Sequence, residues 1–129
     1  MKSARQFSIH YTREEARELL PQVQVWLDRL VQLQEPLAGA AGKVEELLSH
    51  GQDCGGPTIE RYLGIQSEFL EFLSEFKKRQ ILIKDVNRGL VDFPSILDGR
   101  EVFLCWEQGE TDIEFWHELD AGYAGRERL

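Results

Sequence analysis

The residues best suited to chemistry crowd the last third of the chain. His117 closes the run Ile113–His117, with Glu110 before it and Asp120 three residues after it. An imidazole near two carboxylates can bind a divalent metal, or can act as general acid or base with a pKa shifted by burial. Cys105 sits in the apolar run Val102 to Trp106, and Asp92 sits in the run Leu90 to Phe93. Together with the cation Arg126 they give two candidate sets. Glu110, His117 and Asp120 are candidate metal ligands; Asp92, Cys105 and Arg126 are candidate contacts to a bound ligand. The chemistry such a constellation supports is storage of a divalent metal or metal-assisted hydrolysis.

Each residue also has a plainer reading. His117 can be a structural histidine that donates to a carboxylate or carbonyl. Cys105 reads as a small buried hydrophobe, because a cysteine nucleophile needs an imidazole within hydrogen-bond reach. A carboxylate at position 92 needs a partner, and Arg88, Arg100 and Arg126 are the candidates. The sequence contains no HExxH, no CxxC and no phosphate-cradling GxxxxGK[ST]. His50, Asp53 and Cys54 are ligand types in a Gly-rich loop, but their spacing matches no zinc pattern and reads as loop-tip polarity.

The elements that must position these residues are strands. From Ile81 the period is extended. Ile81–Val86 and Leu90–Phe93 read as strands around an Asn87-Arg88-Gly89 turn, with Pro94 ending the second. Asp98-Gly99 is a hairpin signal. Glu101–Trp106 and Asp112–His117 follow as strands, and the tail from Ala121 reads as irregular. Alternation puts Val102, Leu104 and Trp106 on one face of their strand and Phe103, Cys105 and Glu107 on the other. Ile113, Phe115 and His117 share a face of the next strand.

Before the strands the pattern is helical. Thr12 and Glu15 form a capping box, so the first helix starts at Arg13. Its apolar positions are Leu19, Val23, Trp26, Leu30, Leu33, Leu37, Ala40, Val44 and Leu47, a heptad seam. Leu20, Leu27 and Val31 widen it. Pro21 predicts a kink, and a bend or break is expected between Pro36 and Gly42. Ser49–Pro57 reads as a loop, and a second helix runs from Thr58 to about Gln80. That helix is apolar on more than one side, which predicts a homodimer formed through the helices. Phe7 and Ile9 suggest a short strand against the sheet.

Bulk composition bounds the function. The formal net charge of -8 over 129 residues argues against nucleic acid and against an anionic membrane surface. No run approaches a membrane span, and no signal peptide is evident, so the expected compartment is the cytoplasm. A Cys54–Cys105 disulfide is not expected there.

Several segments resemble a known family. They are Arg88-Gly89-Leu90-Val91-Asp92-Phe93-Pro94, Asp98-Gly99-Arg100-Glu101-Val102, Leu104-Cys105-Trp106, Gly109-Glu110, Trp116-His117 and Gly122-Tyr123-Ala124-Gly125-Arg126. With the opening Tyr11-Thr12, Glu14-Glu15-Ala16 and Leu19-Leu20-Pro21, they resemble the bacterial domain-of-unknown-function family DUF2203. The resemblance implies a small bacterial cytosolic protein and no particular activity. It also implies that Asp92, Cys105, Glu110, His117 and Arg126 belong to a family pattern. The reading is therefore one α+β domain, with a long antiparallel helical hairpin (12–80) followed by a small antiparallel sheet (81–129). The function expected first is non-enzymatic self-association, and the alternative is a metal-binding or hydrolytic site around His117.

Overall fold

The computed structural model describes residues 4–51 and 56–129. Two helices, α1 (Arg13–Ser49) and α2 (Pro57–Lys77), precede five strands: β1 (Leu82–Asp85), β2 (Leu90–Leu97), β3 (Arg100–Glu107), β4 (Phe115–Glu118) and β5 (Glu127–Arg128). The class is α+β, as the periodicity predicts. The chain divides into two compact units, residues 1–25 with 76–129, and residues 26–75.

α1 starts where its capping box puts it. Thr12 Oγ1 accepts the Glu15 amide at 3.1 Å, and Glu15 Oε1 accepts the Thr12 amide at 2.9 Å. The helix then continues for 37 residues without interruption, so the expected break between Pro36 and Gly42 does not occur. Each proline removes only its own amide from the ladder, and Gly39 and Gly42 stay helical at roughly 1 kcal/mol each relative to alanine. Within the unit 26–75, Leu27, Leu30, Leu33 and Ala40 of α1 are buried, whereas Val31 is exposed rather than part of the seam. Arg29 pairs with Glu68 across the helical hairpin. Of the ligand-type residues in the connecting loop, His50 is exposed, and Asp53 and Cys54 lie outside the described residues.

The strands form an antiparallel meander in the order β1-β2-β3-β4-β5. Asp98 and Gly99 both take positive φ, 51° and 78°, the two-residue turn that matches strand twist. β2 does not stop at Pro94 but continues to Leu97, with Pro94 opposite Phe103. The Pro94 carbonyl accepts the Tyr11 amide at 2.7 Å and so points away from β3. A strand residue's N–H lies on the same side as its carbonyl. The missing amide therefore faces the edge, beyond the reach of β1, and no β2–β3 bond is lost.

Residues 6–11 form no strand. Instead Glu101 accepts the Gln6 and Phe7 amides, and Gln80 Oε1 accepts those of Ser8 and Ile9. β4 is shorter than expected, although Ile113 before it is fully buried. The tail is more ordered than expected. Tyr123–Gly125 forms a 3-10 turn, and Glu127–Arg128 pairs with Phe115 and Trp116. A two-residue strand carries no period that a sequence could reveal.

Candidate metal centre

Register decides what meets on the sheet. Asp92 lies opposite Cys105, Cys105 opposite Phe115, and Phe103 opposite His117. Residues opposite one another in antiparallel strands share a face. Asp92, Phe103, Cys105, Phe115 and His117 are thus on one side, as the alternation within β3 and β4 predicts. Val91, Phe93, Val102, Leu104 and Trp106 are buried on the other side. His117 reaches across β3, beside the Phe103 ring at 5.4 Å between centroids, to meet Asp92 two strands away.

The resulting pair is buried, with Asp92 1 % and His117 2 % exposed. His117 Nε2 lies 3.0 Å from each Asp92 carboxylate oxygen, and Nδ1 lies 2.8 Å from the Glu118 carbonyl. A carbonyl only accepts, so Nδ1 carries a proton and donates it. Nε2 and Asp92 then share one further proton, as imidazolium with carboxylate or imidazole with carboxylic acid. Burial raises the Asp92 pKa, and the charge and hydrogen bond of His117 offset only part of that rise. The Cys105 thiol also donates to Asp92. Burial and then the Asp92 charge push the thiol up to about 11, against the pull of Arg126. Cys105 is consequently a thiol at neutral pH and not a ready nucleophile, in line with the sequence reading.

Asp92, Cys105 and His117 each offer a ligand atom, and these atoms lie within 4.8 Å of one another. In a tetrahedral zinc site with bonds of about 2.0–2.3 Å, ligand atoms stand about 3.3–3.8 Å apart, so small side-chain rotations suffice to close the set. Beside it lies a cavity of about 150 Å³, whose walls include Lys84, Leu90, Ala121, Gly122 and Tyr123.

The remaining expected residues take other places. Asp92 pairs with His117 and not with an arginine: Arg88 pairs with Glu107, Arg100 with Glu118 and Arg126 with Glu110. An aspartate facing inward two strands from an inward histidine has a nearer partner than any rim arginine. Glu110, expected beside His117, holds Arg126 at 2.6 Å and accepts the Glu107 amide at 2.8 Å. Asp120 is exposed in the turn after β4 and is not in the ligand group.

Arg126 stays close to the centre as a clamp. Its guanidinium packs between Phe115, at 3.8 Å, and Tyr123, at 4.3 Å, and approaches Cys105 Sγ at 3.8 Å. Burial opposes its charge, but Glu110 and Cys105 together more than compensate and its pKa is raised. Tyr123 in turn carries Arg88 on its ring at 4.4 Å. The alternating cations and rings fasten residues 121–126 beside the cavity.

Lys84 is the functional candidate that the sequence did not single out. β1 slips by one residue against β2 between Ile83 and Asp85, which makes Lys84 the extra residue of a bulge. The only signal in the sequence was a lone cation in an apolar run.

No match was found among curated proteins or among solved structures. The sequence pattern described as an uncharacterized conserved protein, DUF2203, matches residues 10–129. Nearly the whole chain is covered, helices and sheet alike, and the chain belongs to the DUF2203 family.

Proposed function

We propose that this protein binds a divalent transition metal of the zinc class through Asp92, Cys105 and His117. The observation that carries the reading is the convergence of three different ligand types, all buried, on one face of a sheet and beside a cavity. The donor set of one thiolate, one imidazole and one carboxylate suits zinc and its neighbours rather than magnesium or calcium. Three protein ligands leave a tetrahedral ion one position short. An open position of this kind is where a metal-bound water acts in hydrolytic sites. Arg126 would stay as a neighbour of the Cys105 sulfur and hold its orientation. Such a centre needs Cys105 reduced, which fits a reducing cytoplasm.

Binding has a proton signature. The ion replaces the proton shared by Asp92 and His117 and the proton on Cys105, so two protons leave. The test is metal analysis of protein purified without a metal-affinity tag, followed by cobalt(II) titration in weak buffer. A thiolate-to-cobalt charge-transfer band that Cys105→Ser removes, with release of two protons, is the expected result. No band and no proton release overturns the reading.

A second reading, self-association, is supported by the helices. No residue of α2 before Phe76 is fully buried, and Leu63 and Leu70, one heptad apart, are 49 % and 54 % exposed. A second copy of this chain offers the same stripe, the self-complementarity that a two-fold dimer requires. Light scattering should then give twice the chain mass of 14.9 kDa, and Leu70→Glu should return it to one. A wild-type monomer at micromolar concentration would falsify this second reading.

A further inference from the structure

We propose that the cavity beside Asp92, Cys105 and His117 takes a small monocarboxylate, one oxygen of which fills the open metal position while the Lys84 ammonium pairs with the other. The inference rests on the metal reading and adds the class of ligand. Its first support is charge. A divalent ion held by one carboxylate, one thiolate and a neutral imidazole is electrically balanced. The neighbouring arginines are balanced too, Arg88 by Glu107 and Arg126 by Glu110. Lys84 is different: it lines the cavity, the one carboxylate its charge acts on is Asp92, which the metal would take, and no direct ion pair of Lys84 is found among the described residues. Its ammonium rests over the Phe103 ring, 5.7 Å from the centroid, on the same face as the three ligands. The loaded site thus has one uncompensated positive charge, and a monoanion balances it.

The second support is placement. The bulge in β1 sits at Lys84, and bulges at sheet edges re-aim side chains next to functional sites. The third is size and lining. A cavity of about 150 Å³ holds a molecule of about six non-hydrogen atoms, benzene being the measured case for that volume. A nucleotide or a peptide would lie largely outside it. Leu90 and Ala121 give part of the wall an apolar surface on which a short carbon chain can lie, whereas an inorganic oxyanion gains nothing there.

The experiment uses the full chain loaded with cobalt(II), whose visible spectrum reports a change of ligand. Acetate, propionate and butyrate are titrated, with inorganic phosphate and propanol in parallel. Saturable spectral shifts with the carboxylates, strongest for propionate or butyrate, are expected. Lys84→Met should bind cobalt(II) as tightly as wild type but the carboxylate at least about tenfold more weakly, the loss of one charge-assisted contact. Lys84→Arg should recover part of it. Lys84 is exposed on the edge strand, so these variants retain the core. Bound cobalt(II) whose spectrum ignores carboxylates, or equal affinity in Lys84→Met, overturns the inference alone. Phosphate binding more tightly than every carboxylate overturns the ligand class. Failure to bind cobalt(II) at all overturns the metal reading and this inference with it.

Discussion

The two units of the chain solve burial differently. In the unit built on the sheet both faces are covered, and of the buried polar residues Asp92 and His117 have each other while Ser95 donates to the Tyr11 carbonyl. Among the described residues no buried side-chain polar atom lacks a hydrogen-bond partner. In the unit 26–75, α1 buries a stripe of Leu27, Leu30, Leu33 and Ala40, but α2 leaves Leu63 and Leu70 about half exposed. A sheet closed on both sides can hold a water-poor site whose electrostatics are strong. A helix with an unburied apolar stripe is suited to meeting another surface. The difference locates the proposed chemistry in one unit and the proposed association in the other.

The strongest way to break that comparison is His117→Ala. It leaves the Asp92 carboxyl buried without its partner and opens a void, so a loss of about 3–5 kcal/mol is expected. In a Trp26→Phe background Trp106 and Trp116 report on the sheet, and far-UV ellipticity reports mainly on the helices. In urea the tryptophan transition should move further than the ellipticity. Equal shifts would mean that the two units unfold as one and share a single stability. Leu30→Ala is the counterpart in the helices. It should cost about 2–5 kcal/mol through lost burial and a cavity, and it should leave cobalt(II) binding intact. Weakened metal binding there would break the separation.

Thr12→Ala removes the Oγ1 acceptor of the capping box and should cost about 1 kcal/mol. If denaturant unfolding ranks it above Leu30→Ala, the burial assigned to α1 is wrong. Acid should act on the sheet unit first, with a smaller effect per group because these pairs face solvent. Hydrogen bonds from Arg88 and from Arg17 lower the pKa values of Glu107 and Asp112. For Glu101 burial pulls upward, but hydrogen bonds from His10 and the Gln6 and Phe7 amides win. Groups with lowered pKa values contribute stability above their unfolded values, 4.5 for Glu and 3.8 for Asp. That stability is lost as the pH falls through the folded values. Thermal melts should therefore decline below about pH 5, with the tryptophan signal leading; a flat profile from pH 6 to 3 removes the argument. The smallest expected effect is Leu70→Ala, within about 0.5 kcal/mol in the isolated chain, although it should weaken self-association.

The local signals were legible in the sequence. The capping box fixed the start of α1, because both its bonds span three residues. The Asp98-Gly99 pair marked the hairpin, although the β2–β3 register it sets emerged only once β2 was seen to run past Pro94 to Leu97. Alternation assigned the faces of β3 and β4, and Cys105 and His117 with them. Other features depended on distant neighbours. Pro94 inside β2 is tolerated only because nothing pairs with that edge but Tyr11, more than eighty residues earlier. Asp92 meets His117 because β3 lies between their strands, whereas Glu110 and Asp120, nearer to His117 along the chain, turn to Arg126 or to solvent. Separation along the sequence does not rank such meetings, since strands fold residues 25 apart to within 3.0 Å while a turn can point its own residues outward. The types of residue able to hold a metal were set by the sequence; which of them come together was decided by strand order and register.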